Sequence, residues 1–259
     1  VIAGVFLLLV GAMAKSALLP FHFWLPGAMA APTPVSAYLH AAAMVKAGIY
    51  LILRLAPGFS AMPGWQPVLL TVGISTMLLG AWRALKQYDL KLVLAYGTVS
   101  QLGLLAVMAS FGTASLTLAA LAMLVSHALF KSTLFLVVGI IDHWAGTRDL
   151  RKLSGFGRED PLLAAVGTIA AASMAGVPPL LGFVAKEASY GTLLDDGSTG
   201  ATIALIGIFV GSVFTFAYAT RFVWGAFFTK SGVEAVAPGN THPILILPTV
   251  VPVSYTHLR

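Results

Sequence analysis

The feature that most limits how this chain can fold is a succession of apolar runs, each long enough to cross a bilayer. A helix spans the hydrocarbon core in about 20 residues. By that measure the runs are 1–19, 35–55, 67–84, 91–110, 115–141, 161–194 and 201–229, and an eighth starts near Pro243. Hydrophobic residues make up 58% of the chain and charged residues 9%, against about 25% charged in an average globular domain. So few charges cannot cover a surface facing water, so the expectation is a multi-pass protein in a lipid bilayer.

The formal charge of +6 does not call for nucleic acid. The basic residues sit in short connections between apolar runs, as membrane topology requires. Odd-numbered connections hold Arg83, Lys86, Lys91, Arg148, Arg151, Lys152, Arg158 and Lys230, while even-numbered ones hold Arg54 with the acidic Asp195 and Asp196. That asymmetry puts the first, third, fifth and seventh connections in the cytoplasm. The chain has no cysteine, which excludes disulfides and thiolate metal sites.

The chain begins inside an apolar run with no basic stretch before it, unlike a signal peptide. It reads as a fragment truncated at both ends. Residues 1–252 are expected to form a single transmembrane domain. Residues 253–259 (VSYTHLR) are polar, break off the eighth run and read as a non-native tail.

The sixth run cannot be one straight helix, and a comparable break follows the first. Pro178 and Pro179 interrupt the sixth, and Pro20 follows the first. Proline removes an amide donor and clashes with the preceding turn. In lipid the freed carbonyls need partners, so each break must be packed in protein or line a wet cavity. Paired interruptions point to a site between structural repeats, although lysine precedes the proline in the first run and follows it, as Lys186, in the sixth.

Lys15, His40, Lys46, His127, Lys131, Lys186, Glu187 and Arg221 stand inside apolar runs. A central Lys or Arg costs about 2.5–3.5 kcal/mol on the insertion scale. Six such groups would cost roughly 15–20 kcal/mol, more than the roughly 5–15 kcal/mol net stability of a domain. They must therefore be paired, hydrated or deprotonated. Low dielectric favours the neutral amine, and an amine poised between its two forms can pass protons on. His127 and Lys131 are four apart, on one helix face and about 6 Å apart at Cβ. Their alternative is a satisfied histidine beside a lysine that snorkels to the interface, but Lys131 lies deep in its run. His40 and Lys46, six apart, do not share a face, and His40 could instead make a hydrogen bond across helices. Glu187 is a possible ion-pair partner of Lys186. Arg221 is two turns from the end of its run and is expected to snorkel, and Lys91 is expected at the interface. No phosphate loop, HExxH or GxSxG motif occurs, so no catalytic residue, cofactor or metal site is expected.

Several motifs together resemble the antiporter-like subunits shared by respiratory complex I and Mrp-type cation/proton antiporters. They are Ala14-Lys15-Ser16-Ala17 with Leu19-Pro20 and Trp24-Leu25-Pro26; Ala31-Pro32-Thr33-Pro34-Val35-Ser36-Ala37 with Leu39-His40-Ala41-Ala42; Asp89-Leu90-Lys91 through Tyr96 with Ser100-Gln101; His127-Ala128-Leu129-Phe130-Lys131; and Phe183-Val184-Ala185-Lys186-Glu187. The likeness covers nearly all of residues 1–230. Residues 142–155, Met44-Val45-Lys46-Ala47-Gly48 and Gly176-Val177-Pro178-Pro179-Leu180 narrow it to the A-type subunits of the Mrp branch.

The resemblance implies an all-α, polytopic transmembrane helix bundle of antiporter-like fold with discontinuous helices. It implies a secondary transporter subunit that exchanges protons for Na+ or another monovalent cation in the plasma membrane, the inner membrane of a bacterium. Protons would move through Lys15, His40, Lys46, His127, Lys131 and Lys186, with Lys186 as the terminal switch. The implied partners are the other hydrophobic subunits of a multi-subunit antiporter. The family places Lys15 opposite a glutamate on an earlier helix, and some relatives carry a second histidine where Met123 stands here. The alternative is the homologous proton-pumping subunit of complex I or of a membrane-bound hydrogenase.

Overall fold

The structure, a computed structural model, describes residues 2–235 and 243–255. The architecture is all-α. Helix α1 (Ile2–Lys15) is followed by the short α2 (Trp24–Gly27) and a 3-10 turn, Ala28–Ala30. Helix α3 (Thr33–Ser36), a π-helical turn at Ala37–Ala43 and α4 (Met44–Phe59) form one continuous rod. Then come α5 (Trp65–Lys86), α6 (Leu90–Ala109), α7 (Ala114–Ala145), the short α8 (Phe156–Glu159), α9 (Pro161–Ala175), α10 (Leu181–Asp196), α11 (Thr199–Phe227) and α12 (Pro243–Ser254). The Thr33–Phe59 rod, α5, α6, α7 and α11 are long and apolar enough to cross a membrane. The protein is therefore a multi-pass membrane bundle, as expected. Of the tail expected at 253–259, residues 253 and 254 close α12, and 256–259 lie outside the described residues.

Helix starts follow side-chain chemistry. Asp89 caps α6 by accepting from Lys91 N at 2.7 Å and Leu92 N at 3.3 Å. Asp160 caps α9 ahead of Pro161, and Ser198 caps α11. Such caps satisfy amides that have no partner within the helix.

Both breaks end their first half-helix in the same way. After α9, Gly176 turns into the left-handed region at φ 87°, and Val177 N reaches back to Ala172 O at 3.0 Å. After α1, Ala17 does so at φ 51°, and Leu18 N reaches Met13 O at 3.0 Å. This pattern ties up two carbonyls that the helix cannot use. It also ends α1 at Lys15, four residues before the expected position.

Helix α6 lies at the centre, 89% of its span buried, against α5, α7, α4 and α11. It meets α5 through glycines: a Cβ at Gly80 would stand 2.6 Å from Ser100 N, and one at Gly103 2.5 Å from Met77 N. Small residues allow this approach where helices have no hydrophobic drive to associate. On α11, Ile203, Ile206, Phe209, Val213 and Phe216 form an exposed apolar row. In water that row would be a liability, whereas facing lipid it is the ordinary outer surface of a bundle.

Candidate functional site

The ionisable groups gather around α6 and α7. His127 and Lys131 are fully buried on one face of α7, as their spacing predicts. Lys131 Nζ donates to Leu94 O on α6 at 3.0 Å. The neighbouring Thr98 hydroxyl donates to the same carbonyl at 2.9 Å. Lys46 arrives from α4 with 5% exposure, and His127 lies within electrostatic reach of both Lys46 and Lys131. Lys46 on α4 and the His127–Lys131 pair on α7 are thus buried in the same part of the bundle. Among the described residues neither ring nitrogen of His127 has a hydrogen-bond partner, and the buried Ser126 and Ser100 hydroxyls are also unpaired. Buried polar atoms of this kind are ordinarily satisfied by water.

A branch extends from Lys131 toward α11. The ammonium stands 6.0 Å from the centre of the Tyr218 ring. Gln101 Nε2 donates to Thr215 Oγ1 at 3.3 Å and to the Tyr218 hydroxyl at 3.5 Å, while its Oε1 has no partner. Of these, Gln101 stands in a motif of the family resemblance but was not expected among the site residues, although an amide in the middle of an apolar run raises the same question as a lysine there.

His40 sits within the π-helical turn, 2% exposed, its ring 6.2 Å from that of Trp24. Single π turns inside helices recur at functional positions. His40 lies within electrostatic reach of Lys91. Lys91 was expected at the interface; it stands in the first turn of α6, yet is covered by protein and only 1% exposed. The segment returning after α2 folds over it, and its ammonium donates to Met29 O at 3.0 Å and Ala31 O at 2.5 Å.

Lys186 is 6% exposed and lies at the second break. Its ammonium donates to Ala175 O at 3.0 Å and Met174 O at 3.4 Å, the free carbonyls at the end of α9. A cation there also faces the negative end of the helix dipole. At the first break the corresponding donor is an indole, Trp24 Nε1 to Ala14 O at 3.0 Å. Glu187 is exposed and does not pair with Lys186, because successive helical residues point about 100° apart. Lys15 is exposed at the end of α1, beside an apolar groove with Leu8, Ala12 and Gly48. Arg221 is half-buried, its guanidinium 5.0 Å from the centre of the Tyr88 ring.

The basic connections fold into a cap at one end of the bundle. Arg148 bridges Asp89 at 3.3 Å and Asp142 at 3.5 Å. Leu90 N donates to Arg148 O and Leu150 N to Tyr88 O, joining the two loops. Arg151 binds Asp149 at 2.7 Å, and its guanidinium stands 4.5 Å from the centre of the Tyr88 ring. Hydrogen bonds from Arg151 hold the Asp149 carboxyl down to about 2. Lys230 donates to Leu150 O, Leu153 O and Gly225 O, and its burial pushes its amine below the usual lysine range. Among the described residues no group of three or more His, Asp or Glu side chains is placed to hold a metal ion.

Comparison with known proteins gives three findings. Residues 1–215 match the family described as NADH:quinone oxidoreductase/Mrp antiporter, TM. The chain is 47% identical over 278 residues to a protein of Staphylococcus aureus (strain USA300 / TCH1516) named as antiporter subunit mnhA2, with 97% of this chain and 35% of the relative covered. The protein of the same name from strain JH9 is 46% identical with the same coverage. The chain thus spans about a third of the length of the curated relatives it matches. The solved Mrp complex from Dietzia sp. DQ12-45-1b superposes with a TM-score of 0.87 at 43% identity, covering 97% of this chain and 27% of that one.

Proposed function

Since the chain belongs to the NADH:quinone oxidoreductase/Mrp antiporter transmembrane family, we propose that it is part of a membrane subunit, A-type in the Mrp branch, that exchanges protons for Na+ or another monovalent cation. Its setting is the plasma membrane, and its partners are the other hydrophobic subunits of the antiporter. It carries out no covalent chemistry. The observation that carries this reading is the buried group of Lys46, His127 and Lys131, drawn from two helices, with both ring nitrogens of His127 and the hydroxyl of the adjacent Ser126 unpaired among the described residues. Ionisable groups inside a membrane bundle are costly and mark ion or proton pathways.

In this reading Lys46, His127 and Lys131 carry protons through the centre, His40 extends the path toward the first break, and Lys186 holds and releases a proton at the second. Lys15 acts at the exposed edge, where further helices can cover it. The names of the relatives favour antiport over the redox-driven reading of the same family.

The test uses the full-length subunit in its complete complex, with His127→Ala and Lys131→Ala variants. Sodium-dependent proton release is followed with a pH-sensitive dye in everted vesicles, and assembly is followed by co-purification. Each variant is expected to assemble and lose exchange, since proton-transfer groups contribute about 10²–10⁴-fold. Undiminished exchange in both would overturn the reading.

A further inference from the structure

We propose that the groove between α9 and α11, at the basic-loop end of the bundle, holds an anionic phospholipid of the cytoplasmic leaflet. Its phosphate sits at Arg158, and one acyl chain lies along the groove as far as the second break. The groove consists of two adjoining cavities that share Thr168 and Phe228. The outer one, about 750 Å³, includes Arg158 and Thr229 beyond the helix ends. The inner one, about 280 Å³, ends against Ala175 and Val177. Helix α9 borders the groove from its first residue to its last, and its 15 residues span about 22 Å. One leaflet supplies about 15 Å of hydrocarbon, so the groove runs from headgroup level to the depth of the break.

Its two ends differ in chemistry as the two ends of a lipid do. The Arg158 guanidinium is exposed and, among the described residues, makes no ion pair or side-chain hydrogen bond. Of the carboxylates beside it in sequence, Asp160 is buried and caps α9 through Leu163 N at 2.9 Å. Glu159 is exposed and does not border the groove. A planar guanidinium matches a phosphate in shape and charge, and the exposed Thr229 hydroxyl adds a donor. The positive-inside rule puts this end at the cytoplasmic leaflet, whose surface is anionic. One turn further in, Trp224 and Phe228 stack at 4.6 Å, both exposed, as aromatic rings do at the membrane interface. Deeper still the wall is apolar, with Ala172, Ala175, Val177 and Phe216.

The occupant comes from the bilayer. Phe216 belongs to the exposed apolar row of α11, so the groove opens onto the surface that faces lipid. A helix about 10 Å across needs roughly 400 Å³ for each turn. The inner cavity, about 280 Å³ beside the two turns from Thr168 to Ala175, is too narrow for one, whereas a single acyl chain fits. The end of that chain covers, from the lipid side, the turn whose Ala175 carbonyl holds Lys186.

The test uses the full-length subunit in its complete complex, reconstituted in phosphatidylcholine vesicles. Two probes are compared, a phosphatidylglycerol and a phosphatidylcholine, each with a diazirine at the end of one acyl chain. After illumination the labelled peptides are mapped by mass spectrometry. Phosphatidylglycerol is expected to label the segments 168–177 and 216–228 roughly fivefold more than phosphatidylcholine, the factor that one cation at an anionic surface supplies. Arg158→Gln should erase that preference and Arg158→Lys should keep most of it. Arg83→Gln, an exposed cation at the same end that borders neither cavity, should leave it unchanged. Thr168→Phe fills the junction of the two cavities and should remove labelling by both probes. Equal labelling by the two probes in the wild type would overturn the site, as would an undiminished preference in Arg158→Gln or undiminished labelling in Thr168→Phe. No labelling by either probe would show that protein fills the groove, which also overturns it. The wild-type comparison decides alone where a variant does not assemble. The readout involves no transport, so its failure leaves the antiport reading untouched.

Discussion

Replacing Lys186 with arginine separates a proton carrier from a helix cap. The ammonium now closes the end of α9 with bonds of 3.0 Å to Ala175 O and 3.4 Å to Met174 O. A guanidinium supplies the same charge and more donors, so Lys186→Arg is expected to assemble. It cannot release its proton, because its pKa stays above about 12. If Lys186 carries protons, exchange should fall by roughly a hundredfold or more, the scale of a lost proton-transfer group. Methionine provides the opposite control. Leaving two buried carbonyls without donors costs about 1–3 kcal/mol each, roughly 2–6 kcal/mol together. Removing a buried ammonium recovers several kcal/mol of desolvation, so Lys186→Met should be close to wild type in thermal stability and also inactive. Exchange is read by dye dequenching in everted vesicles, and stability by the melting of the purified complex in detergent. Near-normal exchange in the arginine variant would show Lys186 to be only an electrostatic cap.

Cysteines placed at Arg151 and Asp195 and labelled with an impermeant thiol reagent should react from opposite sides of the membrane, and labelling of position 151 from outside intact cells would reverse the orientation. Gly97→Ala adds a Cβ 2.9 Å from Lys131 Nζ and 3.1 Å from Tyr218 Cε2. Overpacking of this kind costs about 1–3 kcal/mol, so the amine should leave Leu94 O and exchange should fall in an assembled complex; unchanged exchange would detach that hydrogen bond from transport. Lys230→Met removes the donor shared by Leu150 O, Leu153 O and Gly225 O. Tryptic cleavage at Arg151 or Lys152 should then speed up in the purified complex, and an unchanged rate would show that the other loop contacts suffice.

Much of this arrangement could be read directly from the chain, because lipid leaves few choices. A long apolar run must become a helix whose amides bond to one another, so α4 to α7 and α11 fall where the runs fall. Proline chemistry placed the second break at Gly176 to Pro179. The 3.6-residue period put His127 and Lys131 on one face, and their depth followed from their position in the run. Other features depended on parts of the chain far apart in sequence. Lys91, two residues past its N-cap, looks interfacial until the Met29–Ala31 turn closes over it. Lys15 and Lys186 look alike as lysines beside prolines, yet one is exposed and the other buried. At the first break an indole takes the carbonyl, and at the second a lysine does. The π-helical turn around His40 has no marker in the residues themselves. Periodicity and hydropathy are local, so the sequence alone determined which segments cross the membrane and which ionisable groups they carry inward. Which of those groups meet depends on how separate helices pack, and only the tertiary structure decided that.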